Sequence, residues 1–185
     1  SGNFFSVLSE STSYCDQSTI IIPHNILSYP NLIITCTFSK IYALAGLRIG
    51  YCVSNPEIAD LLNRVRQPFN TNLLAQEAAL ASLDDEIHIS HSISLNNAGK
   101  KYLQQALDKM GLLSLPTRGN FIAINLRQEG LPVYEKLLKK GVIVRPVANY
   151  HMPEYLRVTI GTAEQNQRFI KALSDVLADV PTEVL

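Results

Sequence analysis

The chain has 185 residues, 46% of them hydrophobic, and its sixteen basic residues balance sixteen acidic ones. That is enough apolar material for one ordinary domain or two small ones, and zero formal charge gives no broad field for nucleic acid or an anionic membrane, so any anion recognition must be local. No apolar run approaches the roughly 20 residues that cross a bilayer, no signal-peptide pattern stands at the start, and Cys15, Cys36 and Cys52 lack CxxC spacing, which argues against a disulfide framework or a zinc site and fits a reducing, cytoplasmic setting.

In chain order, Asn3 to Tyr29 reads as a strand and then a loop, with Phe4, Phe5, Val7 and Leu8 separated by a serine-rich stretch from Ile20-Ile21-Ile22. Leu32-Ile33-Ile34-Thr35-Cys36 is continuous and β-branched, as a buried strand is, and Ile49 to Val53 is another. The connection between them has no clear helical pattern, which permits antiparallel neighbours. Asn55-Pro56 starts a helix, asparagine as cap and proline at the first position. Its Ile58, Leu61, Leu62 and Val65 predict one buried stripe before Pro68.

Leu73 to Leu83 is alanine-rich and helical in pattern. Ile89, Ile93, Asn96, Lys100, Leu103, Leu107 and Met110 then predict a long helix whose seam turns polar in its middle, stopped at Gly111. Beyond it come a strand (Phe121 to Leu126), a helix (Val133 to Lys140, stopped by Gly141), and strands at Val142 to Arg145 and Leu156 to Gly161. The last helix carries a capping box at Thr162 and Gln165 and an apolar face of Phe169, Ile170, Leu173, Val176 and Leu177.

The chemistry concentrates between the first two apolar strands, where Lys40 and Arg48 stand eight residues apart. A lysine desolvated between strands can lose its proton and attack a carbonyl, and a nearby arginine can hold phosphate bidentately; together they suggest a site for a phosphorylated aldehyde. A free lysine has a pKa of about 10.4, which burial and neighbouring positive charge lower. Thr37 and Ser39 carry hydroxyls that can donate to phosphate oxygens beside Arg48 or cap a turn. Gly46 and Gly50 read as places of tight backbone passage.

Arg157 lies inside the apolar run Leu156 to Ile160. A buried charge without a partner is costly, so its guanidinium should face a cleft or a carboxylate such as Glu154 or Glu164. His24, His88, His91 and His151 have no metal-ligand spacing; His88 and His91 follow Asp84, Asp85 and Glu86 and read as a solvated helix end. GxSxG, HExxH and P-loop signatures are absent.

Written as T-F-S-K-x-x-x-L-A-G-L-R-x-G-Y, the segment Thr37 to Tyr51 closely resembles the cofactor-lysine signature of pyridoxal-phosphate aminotransferases of fold type I, in their histidinol-phosphate branch. The likeness continues, in the family's order, through Asn63 to Asn70, Pro116 to Phe121, Gly141 to Val147 and Leu156 to Gly161. It implies an α/β fold: part of the large cofactor-binding domain over residues 1–72, connecting helices over 73–111 and a small C-terminal α/β domain over 112–185, in a homodimer.

The resemblance further implies pyridoxal 5'-phosphate as cofactor, with Lys40 bonded to its aldehyde carbon and, once displaced, carrying the proton between substrate Cα and cofactor. It places Ser39, Arg48 and Thr37 on the cofactor phosphate, Arg157 on the substrate α-carboxylate or the equivalent end of an amino alcohol, and Arg145 on a distal substrate phosphate. Tyr42 lies near the cofactor or in an aromatic core; Arg118 and Asn120 are loop residues of less definite role. The implied reaction moves an amino group between histidinol phosphate and 2-oxoglutarate or glutamate, a step of histidine biosynthesis.

A phospho-amino-acid decarboxylase and an aromatic aminotransferase are alternatives with the same cofactor, and a non-catalytic α/β dimerisation or interaction module is the alternative of another class. Family members are about twice this length, and the half that supplies the first phosphate loop, the ring-stacking aromatic residue and an asparagine has no equivalent here. The family's Asp-x-x-Tyr motif, upstream of the lysine, meets Val7 to Tyr14, where Glu10 and Tyr14 are the nearest substitutes. The resemblance thus implies the family more firmly than activity of these residues alone.

Overall fold

The computed structural model describes residues 6–9 and 28–178. Backbone packing divides the chain into two compact units, Ser1–Ser92 and Ile93–Leu185. The expected strand at the start is present as β1 (Ser6–Ser9), while Ile20 to Pro23, Glu10 and Tyr14 lie outside the described residues.

In the first unit β1, β2 (Leu32–Thr37) and β3 (Gly50–Ser54) form a sheet in that order, β1 parallel to β2 and β2 antiparallel to β3. The continuous apolar start of β2 is spent on burial: Leu32, Ile33 and Ile34 are all in the core. At the far end Thr37 pairs with Gly50, and a Cβ on Gly50 would lie 2.6 Å from the Cys36 carbonyl oxygen. Close strand passage therefore demands glycine there. Gly46 has no such neighbour within 4 Å, so the expectation of tight passage holds for one of the two glycines.

Helix α1 (Pro56–Val65) begins where asparagine and proline predict it, the Asn55 side chain accepting from the Ile58 amide at 2.9 Å. The buried stripe expected along it is not observed. Ile58 is buried, but Leu61 and Leu62 are exposed and Val65 is 79% exposed. The helical period gathers these side chains on one face, yet among the described residues of this unit only the edge of that face near β3 is covered. Helix α2 (Leu73–Leu83), capped by Asn72 on the Ala75 amide at 2.8 Å, behaves alike: Ala75 and Ala79 are buried while Leu73, Leu74 and Leu80 face outward.

The long helix α3 (Glu86–Lys109) has the predicted polar seam, with Asn96, Gly99, Leu103 and Leu107 buried along one side. Asn96 donates to the Gly119 carbonyl at 3.3 Å. Gly111, at φ 70°, ends the helix as expected, and Leu112 donates back to Leu107 at 3.0 Å.

The second unit holds a four-stranded antiparallel sheet, ordered β4 (Leu113–Ser114), β5 (Phe121–Asn125), β7 (Tyr155–Thr159), β6 (Arg145–Pro146). One face carries Ile122, Ile124, Leu156 and Val158 into a core with Leu137 of α4 (Gly130–Lys139) and Leu173 of α5 (Ala163–Ala178). Each such side chain, fully buried, contributes about 1.5–3 kcal/mol. The opposite face carries Phe121, Ala123, Asn125, Tyr155 and Arg157 and is only partly covered. Strand alternation thus lets a charged residue sit within an apolar run without entering the core.

The strand expected over Val142 to Arg145 is reduced to Arg145–Pro146. Gly141, at φ 72°, and a bond from the Val142 amide to Leu137 spend the earlier residues on leaving α4. The capping box forms as read: the Thr162 amide donates to Gln165 Oε1 at 2.9 Å and the Gln165 amide to Thr162 Oγ1 at 3.3 Å. Among the described residues no helix is long and apolar enough to cross a membrane.

Candidate active site

The β2–β3 connection builds the site of interest. Its ladder extends one rung beyond the strands, Phe38 donating to Ile49 at 3.2 Å, and the chain then folds on itself. Ala43 donates to the Lys40 carbonyl at 2.8 Å, Leu44 to the Phe38 carbonyl at 3.0 Å, and Ala45–Leu47 make one turn of 3-10 helix. Phe38 and Ile41 are buried and anchor this loop from either side of Ser39 and Lys40. The Phe38 ring lies 4.8 Å from Tyr42 and 6.0 Å from Tyr51, so Tyr42 packs in an aromatic cluster at the loop.

Two residues of the loop, Ala43 and Arg48, hold left-handed backbone at φ 57° and 56°. For non-glycine residues that conformation is costly and collects at functional loops. Thr37 Oγ1 donates to Ser39 Oγ at 2.7 Å and accepts from the Ser39 amide at 3.1 Å, so the turn-capping role of Thr37 is observed and both hydroxyls converge beside Lys40. Arg48 Nη1 donates to the Ala45 carbonyl at 2.9 Å, within the same loop.

The sequence pattern suggests a Lys40 desolvated between strands, but in the structure Lys40 is exposed. The ladder ends at Phe38 and Ile49, so the lysine stands past the last rung with no described strand over it. Arg48 is exposed as well, and among the described residues neither cation has a carboxylate partner, the ion pairs there being Arg64–Asp60 and Lys140–Asp175.

Two features around the loop have no signal in the sequence. Tyr51 pairs with Cys36 across β2 and β3, and its phenol is pushed up to about 12, first by hydrogen bonding to Cys36, then by burial and by the charges of Cys36 and Tyr42. The sequence places His88 at a solvated helix end. Its amide is indeed capped by Asp85 Oδ1 at 3.0 Å, but its imidazole Nε2 lies 2.9 Å from the Ile41 carbonyl, next to Lys40. No spacing rule links positions 47 residues apart.

Beside the start of β3, the Asn63 to Asn70 motif contributes Arg66, Phe69 and Asn70 to an open cleft of about 620 Å³, with Ile49, Gly50 and Gln76 also lining it. Arg66 Nη1 donates to Asn70 Oδ1 at 3.3 Å.

In the second unit Arg145 and Arg157 are directly opposite each other on β6 and β7. The Arg157 guanidinium lies 5.0 Å over the Phe121 ring, a cation–π contact. The alternative pairing of Arg157 with Glu154 or Glu164 is not formed. Arg118 is an exposed loop charge, and Asn120 uses its carbonyl to accept from the Ile160 amide at 2.9 Å. Among the described residues no group of three His, Cys, Asp or Glu side chains could hold a metal ion.

Residues 9–173 match the family model described as aminotransferase class I and II. The chain belongs to that family. It is 52% identical over 153 residues to histidinol-phosphate aminotransferase 2 of Pseudomonas fluorescens, an alignment covering 83% of this chain and 41% of that protein. The chain therefore spans about two-fifths of the length of the curated relatives it matches.

Its fold is similar to that of L-threonine-O-3-phosphate decarboxylase from Porphyromonas gingivalis (TM-score 0.81, 27% identity, 94% of this chain and 55% of that one). It is also similar to histidinol-phosphate aminotransferase from Sinorhizobium meliloti, solved in complex with pyridoxal-5'-phosphate (TM-score 0.73, 26% identity, 80% and 42%). These likenesses agree with an α/β chain of fold type I.

Proposed function

We propose that this chain supplies the lysine-bearing part of a pyridoxal-phosphate-dependent aminotransferase of the histidinol-phosphate type, cytoplasmic and homodimeric. The observation that carries the reading is the β2–β3 loop, which carries one amine, two hydroxyls bonded to each other and one guanidinium, without a neutralising carboxylate among the described residues. That donor set fits a group bearing an aldehyde and a phosphate.

Lys40 holds the aldehyde carbon and, when released, moves a proton at the substrate Cα. Ser39 donates to a phosphate oxygen, Thr37 joins it once its hydroxyl turns from Ser39 Oγ, and Arg48 supplies the compensating charge. Pyridoxal phosphate, when bound, supplies the electron-accepting ring that makes the Cα proton removable. Arg157 binds the carboxylate end of an amino-acid substrate and Arg145 a distal phosphate; a guanidinium matches either anion bidentately. Histidinol phosphate and glutamate are the substrates this pair accommodates in alternation.

The test is to add pyridoxal phosphate to the purified chain, reduce with borohydride and map the modified lysines. Selective modification of Lys40 is expected; labelling spread over exposed lysines, with Lys40 no more reactive than the rest, overturns the reading. Half-transamination with glutamate or with histidinol phosphate, each added separately to the aldehyde form, decides the substrate. The likeness to the Porphyromonas decarboxylase favours a second reading, removal of carbon dioxide from a phosphorylated amino acid, which release of carbon dioxide without amino transfer would establish.

A further inference from the structure

We infer that His88 is a positioning residue for Lys40, its imidazole fixing the carbonyl of Ile41, the residue that follows the lysine. The inference rests on the reading of Lys40 as the reactive amine. The loop from Phe38 to Ile49 satisfies most of its backbone internally: the Phe38 and Lys40 carbonyls accept from Leu44 and Ala43. The Ile41 carbonyl accepts instead from His88 Nε2 at 2.9 Å. Among the described residues this is the only hydrogen bond that reaches loop residues 40–48 from another secondary-structure element.

The geometry gives that bond leverage. Ile41 has its side chain in the core and its carbonyl on His88, so the residue next to Lys40 is held both by its side chain and by its backbone. His88 is itself fixed at the helix start, since its amide is occupied by Asp85 Oδ1 at 3.0 Å. A lysine side chain has many rotamers and loses much entropy when ordered. Anchoring its Cα is what an adjacent element can do for orientation, and small misplacements of a reacting group are costly in rate.

The acceptor also dictates the chemistry of the ring. A carbonyl oxygen has no proton to give, so Nε2 must carry the hydrogen. Ser92 Oγ, one turn along α3, is 3.5 Å from the same nitrogen and is too distant to compete. A glutamine at position 88 places an N–H donor at similar reach and so separates the hydrogen bond from the ring.

The experiment uses the 185-residue chain as wild type, His88→Ala and His88→Gln. Nitrogen NMR of the wild type should show His88 with its proton on Nε2. His88→Ala should speed hydrogen exchange of the Ala43 and Leu44 amides about fivefold to tenfold, the scale of one net hydrogen bond, and slow the trapping of Lys40 by pyridoxal phosphate and borohydride. His88→Gln should restore both.

Wild-type His88 with its proton on Nδ1, or loop exchange unchanged in His88→Ala, overturns the inference. So does failure of His88→Gln to restore what His88→Ala loses. If Lys40 of the wild type is not selectively trapped, the cofactor reading fails, while exchange and tautomer still decide whether His88 holds the loop.

Discussion

Arg145 stands directly opposite Arg157 in the pairing of β6 with β7, so two guanidinium-bearing residues share one face of a sheet. Like charges directly opposite destabilise a strand pair, by roughly 0.2–1 kcal/mol. Among the described residues no carboxylate relieves them; Arg157 has the Phe121 ring at 5.0 Å and Arg145 is exposed. Arg145→Gln should therefore leave the chain as stable as wild type or more stable by up to about 1 kcal/mol, measured by urea denaturation. Inorganic phosphate should raise the wild-type midpoint more than that of the variant. A less stable variant with an unchanged response to phosphate would show that Arg145 serves packing instead.

Gly50 should be the least replaceable glycine near the lysine loop. Its missing Cβ would sit 2.6 Å from the Cys36 carbonyl oxygen, a backbone atom that cannot move without parting β2 from β3. Gly50→Ala is expected to cost about 1–3 kcal/mol, as overpacking does. Gly46→Ala meets nothing within 4 Å and should be neutral or stabilising by about 0.4–1 kcal/mol through the unfolded chain. Denaturation midpoints of the two variants should move in opposite directions or differ plainly in size.

The contrast between those glycines shows what the sequence discloses. Element type follows from local rules, and Asn55, Gly111 and the Thr162–Gln165 box mark helix ends because their hydrogen bonds close within a few residues. The Lys40–Arg48 loop is legible for another reason, the residue types and motif it carries, not its hydrogen bonding. Burial is a tertiary property, and the stripe of α1 misleads because periodicity says which side chains share a face and not whether anything covers it: Val65 is 79% exposed. The environment of Lys40 depends on where the ladder stops, and the His88–Ile41 bond on the meeting of distant segments, neither of which a pattern encodes.

Tyr51 provides a pH test of the β2–β3 pairing. Its phenol is held up to about 12, against an ordinary 10.0, chiefly by Cys36 on the opposing strand. A raised folded-state value means the neutral phenol is the form the fold prefers. Its contribution is complete below pH 10 and is lost as pH rises through about 12. Alkaline titration by tyrosinate absorbance should show a late component that Tyr51→Phe removes and Cys36→Ala shifts toward lower pH. A late component unaffected by Cys36→Ala would assign the shift to burial instead.

Asn166 is the polar residue on which the turn after β7 depends. It is 3% exposed, and its amide meets both backbone groups of Gly161, accepting from the nitrogen at 2.9 Å and donating to the oxygen at 3.0 Å. Asn166→Leu leaves both groups without that partner, at about 1–3 kcal/mol for each that stays unsatisfied, so a loss of about 2–6 kcal/mol is expected in chemical denaturation. Asn166→Asp separates the two bonds. The ionised carboxylate still accepts from the Gly161 amide but faces the Gly161 oxygen with no proton to share, whereas the protonated acid can donate to it. Burial and that facing oxygen raise the carboxyl's folded-state pKa, so the stability of this variant relative to wild type should improve on acidification and fall again as pH rises. A variant whose deficit does not change with pH would mean that the oxygen of Gly161 finds another donor when Asn166 is gone.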